Sequence, residues 1–505
     1  MFIKKILAQI SKFAAGKNKR IYLVGGLLRD LYMGYPGRDL DFAVSGDALS
    51  FARAVSDILK GTFIPLDRVN GVARVVFDNN GEKWQIDLSA LKGWAIEEDL
   101  SRRDFTINAM ALELSDYLKI SGAYDSPEGE RSERWRWHEV IIDPYGGLAD
   151  IENKTIRATN DYVFEADPVR ILRGVRLAGK LGFVIKPETL DLMKQSRWLL
   201  QEVAGERIWE ELLEILDLPE SYPWITVLDS IGAISEIFPF VEKMKVTDQN
   251  NHHKDNVWSH SLKTYGQLEE MCREDITGSI NSDRGEELKD LLSSQLDSKL
   301  PAGRSRRYQL LKLLALFHDA GKIDTARVAE DGRITFPDHY TAGLVYVYEI
   351  SNRLRISKAE ESYLKKIMMH HMYPLYLFIN QTDEPAAPRL FFNKLGKDVP
   401  DVLLLSLADV IATYKAGDRE KDIAGYRAFA GDLLHKYYFE AETYVNLPPL
   451  VKGAELIEHL GLQPSKKVGS ILKKIFEAQV RGEVNNREEA LAYASRLLKS
   501  NAEES

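Results

Sequence analysis

The sequence has a single cysteine, no long uninterrupted apolar run and no excess of positive charge. Cys272 cannot form a disulfide within the chain, which favours a reducing compartment such as the cytoplasm. A membrane-spanning helix needs about 18 uncharged apolar residues in a row, and because no stretch approaches that length we expect no membrane partner. The 67 basic and 76 acidic residues give a net charge of −9. This charge argues against non-specific coating of nucleic acid but allows a local basic groove.

The hydrophobic pattern changes character near residue 150. Before that point, apolar runs predict strands at Arg20–Val24, Leu40–Val44, Val72–Phe77 and Trp84–Leu88. After it, apolar residues recur at intervals of three and four almost to the end of the chain, which predicts helices. We therefore expect an α+β protein with a small mixed head and a long helical body. Two polar segments, Ser126–Trp137 and Glu274–Ser305, are expected to be surface loops or linkers.

A predicted strand runs directly into Gly25-Gly26, and a helical pattern follows at Leu27–Tyr32. Two glycines allow a backbone to approach a phosphate closely, and a helix N-terminus attracts anions. Asp39 and Asp41 then alternate along a strand, so both carboxylates point to one face. Such a pair suits Mg²⁺ shared with substrate phosphates, although an isolated Asp-x-Asp is more often an exposed hairpin face. Asp87, on another predicted strand, could complete a site for two metal ions.

Arginines and acids recur after these strands. Arg102 and Arg103 precede Asp104 and Asn108 in one motif, and beside a phosphate-binding turn the two arginines are suited to clamping a triphosphate. In a later segment Pro168 can start a helix with Asp167 near its N-cap, followed by Arg170, Arg173 and Arg176 at intervals of three. Neighbouring Asp and Arg side chains offer the acceptors and donors that read a base edge. The competing interpretation is a solvated, salt-bridged helix face.

Taken in order, these segments resemble the class II tRNA nucleotidyltransferase and bacterial poly(A) polymerase family, from Ile21 to about Leu216 and more weakly in the tail. The resemblance implies a polymerase-β-type nucleotidyltransferase head (1–150), a helical neck that binds nucleotide and RNA (151–240), a body (241–435) and a helical tail that contacts tRNA (436–505). It implies tRNA, CTP and ATP as partners. It also assigns Mg²⁺ to Asp39 and Asp41, and nucleotide binding to Gly25, Gly26, Arg29, Arg103, Asp167, Arg170, Arg173 and Arg176. One departure is Ala166, where the family usually has Glu.

Seven of the ten histidines fall between His252 and His371, which indicates a second chemical site. The helical body resembles the HD phosphohydrolase domain, with His260, His318-Asp319 and Asp409 in the positions of its metal ligands. The resemblance implies that His339 and His370 or His371 bind a second metal. Imidazoles mixed with carboxylates favour a transition metal such as Mn, Ni, Co or Fe. His252 and His253 are expected in a loop beside this site.

Several functions remain open at this stage. The leading hypothesis is template-independent addition of CCA, or part of it, to the tRNA 3′ end, with a possible hydrolase at the HD site. A-only addition and poly(A) synthesis would use the same residues. Two hypotheses come from other functional classes. The first is a phosphohydrolase whose head only binds tRNA, and the intact Asp39, Asp41 and Arg29 argue against it. The second is a non-catalytic RNA-binding protein, and the two sets of metal-binding residues argue against it.

Overall fold

The N-terminal strands form one mixed sheet in the computed structural model, which describes residues 2–35, 39–79, 81–121, 137–250, 253–274, 284–380, 386–414, 419–445 and 447–503. The sheet order is β3-β4-β5-β2-β1-β6, and only β2 and β5 are parallel neighbours. The strands are β1 Ile21–Val24, β2 Asp39–Val44, β3 Thr62–Asp67, β4 Val72–Asn79, β5 Glu82–Ala90 and β6 Ala111–Glu113.

The four strands predicted from the sequence are confirmed as β1, β2, β4 and β5. Strand β3 was missed because Pro65 interrupts its pattern. Proline lacks the N–H that a central strand needs, and β3 is accordingly an edge strand of the sheet. Strand β6 has three residues, too few to show a period of two.

By contacts, the chain divides into two compact units. The first contains Met1–Val203 and Val227–Glu236, and the second contains Ala204–Thr226 and Ile237–Ser505. The four domains expected from the resemblance, with boundaries at 150, 240 and 435, stay a prediction. The described residues contain no helix that combines the length and apolar character needed to cross a membrane.

Helices surround the sheet and continue beyond it in the first part of the chain. They are α1 Phe2–Gly16, α2 Gly25–Tyr32, α3 Ala48–Leu59, α4 Ile96–Leu100, α5 Leu114–Ser121, α6 Gly147–Glu152, α7 Val163–Ala166, α8 Arg170–Leu181 and α9 Pro187–Ser196, with 3₁₀ turns at Thr106–Asn108 and Arg197–Glu202. A short parallel pair, β7 Thr155–Ile156 and β8 Val184–Ile185, accompanies them.

The remainder of the chain is predominantly helical, as the spacing of apolar residues predicted. Its helices are α10 Gly205–Leu216, α11 Tyr222–Ser230, α12 Ala233–Ile237, α13 Val241–Val246, α14 Val257–Glu274, α15 Gly285–Asp297, α16 Arg307–Phe317, α17 Lys322–Thr325, α18 His339–Ala342, α19 Leu344–Leu354, α20 Lys358–His370, α21 Tyr373–Ile379, α22 Ala386–Leu395, α23 Val399–Tyr414, α24 Glu420–Phe439, α25 Ala441–Tyr444, α26 Gly453–Leu460, α27 Lys466–Val480 and α28 Arg487–Glu503. Two-residue to four-residue strands pair as β9 Asp248–Asn250 with β10 His253–Asn256, and β11 Arg327–Val328 with β12 Ile334–Thr335; a 3₁₀ turn covers Gly396–Asp398.

The core of the second unit is built around α14, which packs against both α16 and α23. Helices α16 and α23 are buried along nearly their whole length. A buried ion pair joins two of these helices, because Lys312 Nζ lies 2.6 Å from Glu269 Oε1. Glu269 also accepts hydrogen bonds from the backbone N–H and hydroxyl of Ser221 and from the N–H of Tyr222, so the buried carboxylate is well satisfied.

The expected linker Glu274–Ser305 is wrong in part. Helix α15 occupies 285–297 within it, and Leu288, Leu292 and Leu296 are buried at intervals of four. Its polar composition concealed this apolar stripe, whereas 275–283 lie outside the described residues. The expected loop Ser126–Trp137 also lies outside them except for Trp137, which is buried and meets the Tyr32 ring edge-on at 6.2 Å.

Candidate nucleotidyl-transfer site and histidine cluster

The Gly25-Gly26 turn begins α2 at the end of the buried strand β1. Gly25 has a φ of +67°, a left-handed conformation that favours glycine. A Cβ at this position would lie 3.1 Å from Arg103 Nη1 and 3.8 Å from Asp41 Oδ2. The turn therefore places bare backbone directly beside a guanidinium and a carboxylate.

Asp41 and Asp87 occupy neighbouring positions on the parallel strands β2 and β5. Side chains at directly paired positions point to the same face of a sheet, so the two carboxylates face the same side. Asp39 pairs with Gln85 in the same ladder through its backbone, but its side chain lies outside the described residues. Paired carboxylates are the hard oxygen donors that divalent cations prefer, so the donor set at Asp41 and Asp87 fits such an ion.

Arg74 holds Asp87 from the next strand. The two residues are directly paired in the antiparallel β4–β5 ladder, and Arg74 Nε and Nη2 each lie 2.7 Å from one oxygen of the Asp87 carboxylate. A two-pronged contact of this kind fixes the plane of a carboxylate as well as its position. Arg74 was not predicted from the sequence, because a single Arg in an apolar strand points to a site only when the strand register is known.

Buried polar side chains connect α2 to α8 through the Thr106–Asn108 turn. The Arg29 guanidinium is buried and donates to Asp30 and to Asn108 Oδ1, both at 2.8 Å. Asn108 in turn donates to Asp104 at 3.1 Å, and the other oxygen of Asp104 lies 3.4 Å from Arg173 Nη1. The chain of contacts positions four residues that the sequence analysis selected.

The two arginines of the Arg102-Arg103 pair have different environments. Arg103 donates to Asp99 Oδ2 through Nε at 3.1 Å and Nη2 at 2.9 Å, whereas the Arg102 side chain is exposed. Arg170 donates to the Arg102 carbonyl at 3.0 Å and lies 3.9 Å from Asp167. Asp167 and Arg170 are therefore neighbours, as their spacing predicted.

Asp167 lies two positions before the N-cap residue of helix α8, near the N-cap as predicted. Helix α8 begins at Arg170, its N-cap position is Val169, and no side chain caps it. Asp167 has an extended backbone instead. Pro168 favours this conformation, because a residue that precedes proline is driven out of the helical region.

Two cavities that share Asp41 in their lining define the site. The first, which we call the arginine cavity, has a volume of about 480 Å³. It is lined by Gly25, Gly26, Asp41, Asn70, Lys92, Asp99, Arg102, Arg103, Asp104, Asn108, Arg170 and Arg173. The second, the helix cavity, has a volume of about 390 Å³ and is lined by Gly26, Leu27, Arg29, Asp30, Asp41, Asp104, Asn108, Arg173, Arg176, Leu177 and Lys180. Asp87 and Asp167 line neither cavity.

The buried carboxylate of Asp150 holds the Thr106–Asn108 turn in place. Asp150 accepts hydrogen bonds from Thr106 at 2.7 Å, from Arg157 at 2.8 Å and from Thr155 at 3.0 Å. Burial acts to raise the pKa of the Asp150 carboxyl, but these donors outweigh burial and the pKa is lowered. Asp150 therefore stays charged and ties the Thr106–Asn108 turn to the segment after α6. Asp150 was not predicted from the sequence, because its partners are 44, 7 and 5 positions away.

The second unit gathers a separate cluster around Asp319. His260 Nε2 lies 2.8 Å from Asp409 Oδ1 and 3.5 Å from Asp319 Oδ2. His318 Nε2 lies 3.4 Å from Asp319 Oδ2 and 3.6 Å from Asp409 Oδ1. The four residues offer ligand atoms close enough together for one metal ion.

The other oxygen of Asp319 faces a second group. His339 Nε2 lies 3.3 Å and His371 Nε2 lies 3.9 Å from Asp319 Oδ1, and the two imidazoles are 3.4 Å apart. His370 lies outside both groups, with its Nδ1 against the Lys366 carbonyl at 2.7 Å. Of the two adjacent histidines proposed as ligands, the structure thus selects His371. The side chains of His252 and His253 lie outside the described residues.

Backbone carbonyls orient three of these imidazoles. The Nδ1 atoms of His318, His339 and His371 lie 2.9, 3.1 and 2.7 Å from carbonyl oxygens three positions earlier, which leaves each Nε2 facing the cluster. Metal-binding histidines are commonly oriented in this way. Burial lowers the pKa of His339, and burial together with the neighbouring imidazoles lowers the pKa of His371 to about 3. Both rings are therefore neutral, the form that can bind a metal.

A mixed sheet with paired carboxylates beside a glycine turn and basic cavities defines the class of protein: a nucleotidyltransferase with a polymerase-β-type head, a reaction class that depends on divalent metal. The Poly A polymerase head domain model matches residues 21–157. A model of an RNA- and SrmB-binding site of polymerase A matches 182–245, and one of tRNA nucleotidyltransferase domain 2 matches 437–494.

Known proteins match along nearly the whole chain. The A-adding tRNA nucleotidyltransferase of Deinococcus radiodurans is 29% identical and covers 94% of both chains. The CC-adding tRNA nucleotidyltransferase of Geobacter sulfurreducens is 29% identical over 94% of this chain and 91% of its own. The Thermotoga maritima CCA-adding enzyme complexed with tRNA shares the fold, with a TM-score of 0.59, 21% identity and coverage of 98% and 95%. The chain belongs to the class II tRNA nucleotidyltransferase and poly(A) polymerase family.

Proposed function

We propose that the chain adds nucleotides from CTP and ATP to the 3′ end of tRNA that lacks all or part of its CCA sequence. The observation that carries the proposal is the pair of carboxylates Asp41 and Asp87 on neighbouring strands, of which Asp41 lines two basic cavities. The names of the relatives, A-adding and CC-adding, supply the nucleotides and the acceptor.

The reaction joins the 3′-hydroxyl oxygen of the RNA to the α-phosphorus of the incoming nucleotide and breaks the bond to the β-phosphate, so pyrophosphate leaves. Asp39, Asp41 and Asp87 are proposed to hold Mg²⁺, which when bound neutralises charge that develops on the phosphate oxygens. Around these carboxylates, the backbone of Gly25-Gly26 can donate to phosphate oxygens at the start of α2.

The basic residues line one or both of the two cavities, and Arg173 lines both. Arg29, Arg173 and Arg176 surround the helix cavity and are proposed to bind the β- and γ-phosphates. Arg102 and Arg103 line the arginine cavity and are proposed to clamp the triphosphate from that side.

Two further pairs are proposed to orient the nucleoside. Asp104 and Asn108 line both cavities and can fix the ribose through their hydrogen-bonding groups. Asp167 with Arg170 combines an acceptor with forked donors near the arginine cavity, as reading a base edge requires. Glu165 lies on α7, two positions before Asp167, and could supply the acid that Ala166 lacks.

The decisive experiment offers the purified protein three tRNA transcripts, ending before the first C, before the second C and before A, with labelled CTP and ATP separately and together. Incorporation of both nucleotides that stops after three additions would establish CCA addition. Extension by C alone or by A alone would establish a partial activity, and long A tracts on unrelated RNA would establish poly(A) synthesis. The proposal fails if no transcript is extended at any Mg²⁺ concentration.

We propose a second candidate function for the cluster around Asp319, namely transition-metal-dependent hydrolysis of phosphomonoesters or cyclic phosphodiesters. Asp319 faces the two ligand groups with different oxygens, which is suited to bridging two metal ions. Lys322 Nζ, 2.6 Å from Asp319 Oδ2, supplies a positive charge that could bind phosphate. The HD-domain assignment and the metals Mn, Ni, Co or Fe are part of this proposal.

Adjacent histidines provide a matched test of the hydrolase. His371→Ala should lower hydrolysis of a generic phosphomonoester in Mn²⁺ or Ni²⁺ by about 10- to 100-fold, whereas His370→Ala should leave it within about twofold. Nucleotide addition should be unchanged in both variants, because the two sites lie in different units of the chain. Equal effects of the two substitutions, or an unmodified protein that is inactive with every metal, would reject this function.

A further inference from the structure

Basic residues are concentrated at the start of the chain, where no acidic residue accompanies them. All 76 acidic residues lie at or beyond Asp30, whereas seven of the 67 basic residues come before it. Six of these seven lie on or directly after α1: Lys4, Lys5, Lys12, Lys17, Lys19 and Arg20. A chain with a net charge of −9 thus carries a segment whose charges are all positive, and such segments attract polyanions.

The arrangement of charge on α1 does not serve the stability of the helix. A helix carries partial positive charge at its N-terminus, where acidic residues are stabilising and cations are not. The first turn of α1 contains Lys4 and Lys5 but no acidic residue. The cations therefore stand where they cost the helix stability, which indicates that they have another role.

Three of these lysines are available to a ligand. Lys5 and Lys12 are seven positions apart, which is about two turns, so they lie on one face of α1 about 11 Å apart along its axis. Lys17 follows in the turn that ends α1, where its N–H donates to the Phe13 carbonyl at 3.1 Å. All three side chains are exposed, and none forms an ion pair with another residue that the structure describes.

The opposite face of α1 is already used within the head. Its buried apolar residues are Ile6, Leu7, Ile10 and Ala14. The Phe13 ring also contacts the Phe51 ring of α3, with their centres 5.4 Å apart. A helix that lies on a membrane must insert its apolar face among the lipids. Because this face of α1 packs against the head, α1 offers a partner charge and not apolar surface, which favours a nucleic acid over a membrane.

The position of α1 determines which part of a nucleic acid it can meet. The Arg20 N–H donates to Ser45 Oγ, and the Lys19 ammonium donates to the Ser45 carbonyl, both at 2.8 Å. These contacts join the segment before β1 to the residue after β2, whereas Gly25 follows the other end of β1. The four residues of β1 span about 13 Å. Lys17 therefore lies at the opposite edge of the sheet from the glycine turn.

We propose that α1 and the turn after it bind the sugar-phosphate backbone of the RNA substrate away from its reacting 3′ end, with Lys5, Lys12 and Lys17 contacting phosphates. This inference rests on the proposed nucleotide addition and extends it to the body of the RNA. Phosphate contacts do not read the base sequence, but they hold the RNA in register and supply affinity that weakens as salt concentration rises. The three lysines line neither cavity, so they contact neither the incoming nucleotide nor the transferred phosphate.

The test measures the affinity for a tRNA transcript by fluorescence anisotropy over a range of salt concentrations. The triple variant Lys5→Gln, Lys12→Gln, Lys17→Gln should bind more weakly at low salt. Its slope of log K against log salt should be shallower by about 2 to 3, since each lost phosphate contact contributes about 0.7 to 0.9. Glutamine is a good helix former, so circular dichroism should show an unchanged helix content. This measurement needs no catalysis.

A matched triple variant supplies the control. Lys83→Gln, Lys289→Gln and Lys299→Gln change the net charge by the same amount at exposed positions, but each of these lysines has an acidic residue within two positions. The salt dependence of this control should equal that of the unmodified protein. In steady-state kinetics the α1 variant should raise the KM for the transcript and leave the KM for CTP unchanged, whereas the control should change neither.

The inference is overturned if the two triple variants have the same salt slope. It is also overturned if the α1 variant keeps normal affinity for tRNA but loses binding to vesicles that contain phosphatidylserine, because α1 would then contact an anionic membrane. If the unmodified protein extends no transcript while the two slopes still differ, nucleotide addition is rejected and RNA binding by α1 is supported.

Discussion

Replacing Arg74 with lysine tests whether Arg74 acts by positioning the Asp87 carboxylate or by its positive charge. Lysine keeps the positive charge but offers a single point contact in place of two N–H groups, each 2.7 Å from Asp87. The pair is partly exposed, with 34% of the Arg74 side chain and 29% of the Asp87 side chain accessible. Solvent screening limits such a pair to less than about 1 kcal/mol of stability, so Arg74→Lys should unfold at nearly the same denaturant concentration as the unmodified protein.

The effect on metal dependence should be much larger. Removing a group that orients a metal ligand typically weakens metal binding by about 10- to 100-fold. We therefore expect Arg74→Lys to raise the Mg²⁺ concentration for half-maximal nucleotide addition by about tenfold, and Arg74→Gln, which also loses the remaining contact, to raise it further. Electron paramagnetic resonance of Mn²⁺ measures the metal affinity of this site without turnover.

Opposite behaviour would refute this reasoning. A positive charge near a cation repels it, so removing that charge alone should tighten metal binding. If Arg74→Lys has an unchanged Mg²⁺ requirement and Arg74→Gln a lower one, then Arg74 acts by charge and does not position Asp87.

Three further predictions concern other parts of the molecule. Asp41→Asn should slow nucleotide addition by at least about 10³-fold without weakening RNA binding in a filter assay; a rate within tenfold of normal would remove Asp41 from the metal site. Asp167→Ala should reduce discrimination against UTP and GTP by about 1–3 kcal/mol, measured as ratios of kcat/KM, and unchanged ratios would place base reading elsewhere. Lys312→Met should lower the free energy of unfolding by about 3 kcal/mol, because Glu269 would be left buried without its cation. The double variant with Glu269→Gln should recover most of this loss in denaturant titration, and a single variant within about 1 kcal/mol of normal would contradict the estimate.

Local patterns identified most of the site. The Gly25-Gly26 turn, the alternation of Asp39 and Asp41, and the spacing of Arg170, Arg173 and Arg176 depend on a few adjacent residues whose geometry follows from strand and helix periods. The structure places Arg170 and Arg173 on the arginine cavity and Arg173 and Arg176 on the helix cavity. Their roles in binding nucleotide remain predictions.

Residues that act through distant partners could not be found in this way. Arg74 meets Asp87 because β4 and β5 are paired in one register, and shifting a strand by one residue would turn its side chain to the other face. Asp150 is surrounded by three donors from two segments, and Lys312 meets Glu269 only where two helices pack. Such contacts depend on how elements pack, which one sequence does not show.

The histidine cluster was predicted in part from local sequence, and the rest of it depended on how the helices pack. The sequence alone indicated that the adjacent His318-Asp319, on an apolar segment, needs a cation or hydrogen-bond donors, because burying an unpaired carboxylate is costly. Whether His370 or His371 joined the cluster could not be settled by sequence, since neighbouring positions on a helix differ by about 100° in direction. Packing at the end of α20 turned His371 inward and left His370 against the Lys366 carbonyl.

The sequence by itself thus determined most of the elements, the order of the motifs and the chemistry that each motif can perform, because periods, glycine turns and charge pairs are local properties of the chain. The tertiary structure alone decided the register that joins Asp41, Asp87 and Arg74, and the two cavities that share Asp41 in their lining. The physical reason is that these features come from contacts between segments far apart in the chain, where packing and strand pairing select one arrangement among many that the local patterns permit.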